Sequence, residues 1–384
     1  MKRGRVLIAA AMVATAAPFI SVLDGSAAHA AGNTRKVSTT GTDAGNCKFA
    51  PCATVNYALG QSLPYDTITV AAGTYNQTVD VEKPINLVGA GASTTTIDGT
   101  GLDPSTGPGN PYGVIYVGTT GGAVSIAGFT VTNPFPYAFT SGEPIIVGLR
   151  DTKSTDAVSI TKAILAEGGS DPNAFTDFPI GIDTFNNAAQ TTITNDAISG
   201  TYQGAFFDDN GPLNFSTNTL SALISGTNNA TTPPTVYPAE GALFRSDEAG
   251  GLTGQQARAN TLQNYGGYGL IMDASYNNGA CGATPCLGSI SGSFVSNSIT
   301  LTPGVSGTYG MVFKSEFAGN MVGAVSKGNK GTVKSPTIPE LVLSKSGASI
   351  TVAEFGNNVT TNGVNQAGPG SLTNMAPIHM AKLH

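Results

Sequence analysis

The sequence predicts an all-β fold: a single-stranded right-handed parallel β-helix closed at its start by a short capping helix. Three observations point there. A glycine followed by apolar residues recurs at Gly181-Ile182, Gly204-Ala205-Phe206-Phe207, Gly241-Ala242-Leu243-Phe244, Gly269-Leu270-Ile271-Met272 and Gly310-Met311-Val312-Phe313. An Asn follows each, at Asn195, Asn218, Asn260, Asn297 and Asn329, with offsets of 14, 14, 19, 28 and 19. Fifty glycines, many Thr and Asn, and no run of strong helix formers favour short strands joined by turns. A repeat that keeps its strands while its turns vary in length is what stacked coils produce.

The first thirty residues read as an export signal. Lys2, Arg3 and Arg5 form a basic start, Val6 to Leu23 is an apolar run, and Ala28-His29-Ala30 supplies small residues at a cleavage site. Pro18 interrupts the run and no stop-transfer pattern follows, so cleavage near Ala30 is expected rather than anchoring. This divides the chain into a signal at 1–30, a β-helix at 31–362 and a tail at 363–384, with a secreted, monomeric product not inserted in the membrane. The mature part keeps 15 Lys+Arg against 23 Asp+Glu, a net charge of −8, which argues against gripping nucleic acid. Only 11% of residues are charged, too few for a disordered acidic tail protein.

Four cysteines form two C-x4-C pairs, Cys47/Cys52 and Cys281/Cys286, with no His nearby to complete a zinc site. Small loop-closing disulfides suit an exported protein, although three pairings are formally open. The insertion carrying Cys281 and Cys286 accounts for the offset of 28.

Elements follow in order along the chain. Residues Cys47 to Leu59 hold the amphipathic capping helix, and Asp66-Thr67-Ile68-Thr69-Val70-Ala71-Ala72-Gly73-Thr74-Tyr75 starts the alternating strands. Ile85-Asn86-Leu87-Val88-Gly89-Ala90-Gly91 and Thr96-Ile97-Asp98-Gly99 come next. On these motifs the chain resembles the pectin-lyase-like superfamily of β-helix proteins over most of residues 46–360. The resemblance implies the fold; for activity it leaves lyases, hydrolases, esterases, epimerases and adhesins open. Later coils use Gly113 to Val117, Val124 to Val131, a less regular stretch from Ile145 to Leu165, and finally Leu341-Val342-Leu343 with Ser349 to Val352. Each coil buries little alone, but stacking at about 4.8 Å satisfies its strands and closes a continuous core. The recurring Asn is expected to form a structural ladder at one turn.

Aligned on their glycines, the five coils expose two columns. Four residues after each Gly stand Phe185, Asp208, Arg245, Asp273 and Lys314; six after stand Asn187, Asn210, Asp247, Ser275 and Glu316. Positions two apart share a strand face, so these are expected to form one polar strip on the outside of the coil, with Asp209 within reach. Such a strip suits an acidic polysaccharide. The resemblance implies β-elimination, with Arg245 or Lys314 as the base and Asp208, Asp209, Asp247 and Asp273 holding Ca2+ against the substrate carboxylate. Arg258 is an off-strip alternative, suited to the role of a carboxylate clamp. Tyr202, Tyr237, Tyr265, Tyr268, Tyr276 and Tyr309 flank the strip and are candidates to stack on sugars or to fill the core.

Two rivals stand beside this. Acids and bases on adjacent coils pair with one another in a non-catalytic surface or structural protein. Asp208 and Asp209 resemble the paired aspartates of glycoside hydrolases. The Gly-His-Gly element of that hydrolase family is missing, however, and the mature chain has only His379 and His384, both in the tail. That also removes Ser-His and Cys-His nucleophile schemes.

Overall fold

A computed structural model describes residues 32–102, 113–118, 121–132, 147–152, 158–161, 164–166, 176–177, 180–185, 190–208, 211–228, 233, 235–246, 252–274, 288–302, 309–315, 321–333, 341–345, 349–354 and 359–360. The expected signal, the tail after 362 and the Cys281/Cys286 pair lie outside these residues. The described strands build a right-handed parallel β-helix whose three long sheets hold eleven, nine and ten strands. Each coil gives one strand to each sheet. Gln203–Asp208 lies in the nine-stranded sheet, Leu213–Ser216 in the eleven-stranded and Thr219–Ser221 in the ten-stranded. The next coil repeats this with Ala239–Arg245, Leu252–Arg258 and Thr261–Gln263, every strand parallel to its predecessor. Among the described residues no helix is long and apolar enough to cross a membrane.

Alternation along each strand fills the interior. Ile193, Phe215, Ala257 and Phe294 face inward from one sheet, while Ala205, Phe207, Ala242, Phe244, Leu270 and Met272 face inward from another. Phe207 meets Phe244 at 4.9 Å between ring centroids, Phe244 meets Phe294 at 5.5 Å, and Phe294 meets Phe313 at 5.3 Å, an aromatic spine along the axis. The recurring glycines mark where this interior is tightest. A Cβ on Gly241 would lie 2.3 Å from the Gly269 carbonyl oxygen and 2.7 Å from Leu262 Cδ2, so no side chain fits.

The Asn ladder is present, with one correction. Asn218, Asn260, Asn297 and Asn329 are buried and stacked in the turn between the eleven- and ten-stranded sheets. Each receives the preceding rung's amide on Oδ1, from Asp196 at 2.9 Å, Asn218 at 3.0 Å, Asn260 at 3.0 Å and Asn297 at 2.9 Å. The rung before Asn218 is therefore Asp196, and Asn195 is not in the ladder. Asn195 takes φ 63°, matching Thr217, Ala259 and Ser296 at 58°, 54° and 57°, the left-handed position that turns each coil just before its ladder residue.

The start of the solenoid is closed by local chemistry. Helix Val55–Gln61 packs Val55, Ala58 and Leu59 into the core. Thr54 caps it by accepting from the Tyr57 amide at 3.2 Å, and Lys83 Nζ donates to the Leu59 carbonyl at its far end at 2.9 Å. Cys47 and Cys52 are disulfide-bonded. Their loop bonds the outer edge of the first strand, Thr34–Val37: Lys36 N donates to Cys47 O at 2.8 Å, and Cys52 N to Lys36 O at 2.9 Å. Beneath it Arg35 Nε and Asp66 Oδ2 form a buried ion pair at 2.7 Å. Burial pushes the Asp66 carboxyl up, but the Leu63 amide, Arg35 and the Asn33 amide outweigh it and hold its pKa below the ordinary value.

Asp80 shows the opposite balance. Burial, then the charge of Glu82, pushes its carboxyl up to about 6, and its buried Oδ1 has no hydrogen-bond partner among the described residues. A raised carboxyl favours the fold when protonated; that contribution is complete below the unfolded value and lost as pH rises through about 6. Asp80→Asn is therefore expected to be neutral near pH 4 and to stabilise the protein near pH 7.5. The gain is about 1 kcal/mol after discounting for partial exposure. Urea unfolding at both pH values checks this; equal gains at both would overturn it.

Candidate functional site

The strand after each repeat glycine places the sequence-derived column in register. Phe185 pairs with Asp208, Asp208 with Arg245, Arg245 with Asp273, and Asp273 with Lys314. Five successive strands of the nine-stranded sheet thus align residues from Phe185 to Lys314 in one column. Asp209 and Asp247, the other candidate ligands, lie outside the described residues, as do Asn187, Asn210, Ser275 and Glu316. Arg258 stands on the eleven-stranded sheet, exposed, and is not part of this face.

The column is not an open strip, which corrects the expectation from alternation. Asp208 is 1% exposed, Arg245 2% and Asp273 0%. Alternation decides which side of a sheet a residue takes, but not what covers that side. Phe206, Leu243, Ile271 and Val312 share this face, two positions before the column, and are themselves buried outside the central core cluster. The nine-stranded sheet therefore carries a second buried layer on its outer face.

Within that layer Arg245 is fully engaged with Asp208. Its Nε donates to Oδ1 at 2.9 Å, Nη2 donates to Oδ2, and the guanidinium lies 4.7 Å from the centroid of the Phe206 ring. A buried charge needs such compensation, because desolvation costs several kcal/mol per ion. Both Asp208 oxygens are committed to Arg245, so Asp208 does not fit a calcium ligand in this arrangement. Among the described residues no group of three His, Cys, Asp or Glu could hold a metal.

Sequence alignment on the glycines passed over two parts of this layer. The residue before each glycine forms its own column, with Gln203 paired to Glu240, Glu240 to Tyr268 and Tyr268 to Tyr309. Glu240 is fully buried; Tyr202 Oη donates to its Oε1 at 2.9 Å and Gln203 Nε2 to its Oε2. The signal was an acid immediately preceding a repeat glycine. The second part is the column Asp80, Tyr116, Arg150, Asp183, Phe206, Leu243. Its positions are polar on the early coils, two acids and a base with Tyr116 between, and become apolar where the Asp208–Arg245 column becomes charged. Tyr202, Tyr265 and Tyr268 are buried and are not presented for stacking on a ligand; Tyr265 Oη donates to the Tyr268 carbonyl at 3.3 Å.

A family model described as Protein of unknown function (DUF1565) matches residues 37–232, just over half of the chain. The chain belongs to the DUF1565 family. Asp183 and Asp208 lie within the DUF1565 match, whereas Glu240, Arg245, Asp273 and Lys314 follow it. No curated protein matches the chain by sequence. Solved structures similar to this DUF1565 member include an alginate lyase from Paenibacillus sp. str. FPU-7, with a TM-score of 0.45, 14% identity, and 87% of this chain and 99% of that one covered. Pectate lyase Pel9A has a TM-score of 0.40 and 13% identity, covering 88% and 82%. A pectin methylesterase from carrot has 0.36 and 13%, covering 88% and 90%. At such identities the likeness is one of fold.

Proposed function

We propose that this is a secreted protein that binds, and in its sharpest form cleaves, an acidic polysaccharide of uronate type at the outer face of the nine-stranded sheet. The observation that carries this reading is the in-register run Asp208, Arg245, Asp273, Lys314 on one face of a long rigid solenoid. Arg245 already holds a carboxylate by two hydrogen bonds, and a uronate carboxylate is the same chemical group as Asp208's. Exchange of one for the other requires the layer over Arg245 to open, since Arg245 is 2% exposed, and makes it a carboxylate clamp rather than the base of an elimination. Lys314 is then the remaining base candidate, and Asp209, Asp247 and Asp273 the remaining calcium candidates. Hydrolysis through Asp208 and Asp209 draws less support, because both Asp208 oxygens accept from Arg245.

A second reading has its own observation. Complete burial of the Asp208–Arg245 pair is what a non-catalytic surface or structural protein would show. Affinity electrophoresis in gels containing pectate, alginate or a glycosaminoglycan separates the two. It is paired with absorbance of unsaturated uronate products, with and without calcium. Retention on at least one polymer, weakened by Arg245→Lys, is expected. No retention and no product on any of the three would leave the structural reading.

A further inference from the structure

A trough of about 520 Å³ lies far from the charged layer, on the outer face of the eleven-stranded sheet at its first coils. Two in-register columns make its floor. Lys36 pairs with Thr69 and Thr69 with Val88; beside them run Ser38, Ala71 and Ala90, linked by the Ala71 and Ala90 amides to the preceding strands. Small side chains in the second column create the hollow, Lys36 and Val88 rise beside it, and Pro51 of the disulfide loop forms a wall. That loop is fixed by the Cys47–Cys52 bond and its hydrogen bonds to Lys36, so the wall is preformed.

Three kinds of group meet here. Val88, Ala71 and Ala90 are exposed and apolar. Ser38 and Thr69 contribute hydroxyls; Thr69 Oγ1 donates to the Arg35 carbonyl at 3.2 Å, which leaves its lone pairs to accept. The lining holds one charged side chain, Lys36, and no carboxylate, although the chain as a whole carries 24 acids against 18 bases. A concave, largely apolar site with a few convergent polar groups and one cation in an acidic protein selects a small anion with an apolar side.

We infer that this trough is a second binding site, for a single sugar-acid residue. The carboxylate sits on Lys36 Nζ, the hydroxyls on Ser38 and Thr69, and the apolar ring face on Val88, Ala71 and Ala90. The site needs neither Arg245 nor any bond cleavage, and so stands apart from the function proposed above. Isothermal titration of the mature chain with a short oligogalacturonate, and with its methyl ester, tests it. Lys36→Ala should weaken binding of the acid about tenfold, as for loss of a charge-assisted hydrogen bond, and Lys36→Arg should keep it. Ala90→Trp, on an exposed position, should fill the trough and abolish binding while the circular dichroism stays that of the parent. The ester should bind as weakly as Lys36→Ala binds the acid. Binding by the parent that survives both Lys36→Ala and Ala90→Trp, equal binding of acid and ester, or no binding by the parent overturns the assignment. A binding event lost in Arg245→Lys and kept in Lys36→Ala belongs to the other face, so failure of one site is read separately from failure of the other.

Discussion

Replacing Arg245 by alanine is expected to lower the unfolding free energy by about 3–5 kcal/mol. The guanidinium is the partner of Asp208, which is 1% exposed and gives both oxygens to it. Truncation leaves a carboxylate in a closed layer with its two hydrogen bonds to Arg245 gone, and removes the cation stacked over Phe206. Asp208 must then be protonated or drag water into the layer, and either is costly. Guanidinium unfolding of Arg245→Ala against the parent gives the number. The double variant Asp208→Leu with Arg245→Met replaces the pair by apolar volume and should recover most of the loss, because burying charges gained little over burying hydrocarbon. A loss below about 1 kcal/mol, the range of exposed pairs, would place the ion pair in water and remove the buried layer from the account.

Asn260→Ala should rank next, at about 2–4 kcal/mol, from two buried backbone groups orphaned at once. Asn260 Oδ1 accepts the Asn218 amide at 3.0 Å, and its Nδ2 donates to the Phe215 carbonyl at 2.9 Å and to Asn297 Oδ1 at 3.0 Å. Alanine fills neither role. Asn260→Asp still accepts, but it sets carboxylate oxygen against the Phe215 carbonyl and Asn297 Oδ1, so it is expected to be no better than alanine. Thr217→Ala in the corresponding turn one coil earlier alters an exposed side chain and should cost far less. Thermal unfolding of the three variants side by side reads the order directly.

Much of this fold was written in single residues. The glycines at 181, 204, 241 and 269 were legible because the interior admits no Cβ there, so composition and structure report one constraint. Register between Asp208, Arg245, Asp273 and Lys314 followed from the same anchor, since a parallel strand pair carries alignment forward residue by residue. The ladder was misread at its first rung because Asn195 and Asp196 are adjacent, and both side chains suit a turn. Only backbone conformation separates the residue that bends the chain from the residue that accepts the next amide. Burial of the charged column was not legible at all. Whether an outward residue meets water depends on what lies over the sheet, and coil-to-coil periodicity contains no such information. Glu240 escaped for a simpler reason: the alignment looked forward from each glycine, and Glu240 stands one residue behind.

The loop between Cys47 and Cys52 has a consequence for how such a molecule lives in a crowd. A solenoid is half of a fibre: its terminal strand offers amides and carbonyls that an incoming chain can copy. Here the amide and the carbonyl of Lys36 are already taken by Cys47 and Cys52 of the same molecule. A neighbour arriving at that strand finds its central groups occupied, and growth along that edge of the eleven-stranded sheet is obstructed by a loop six residues long, Cys47 to Cys52.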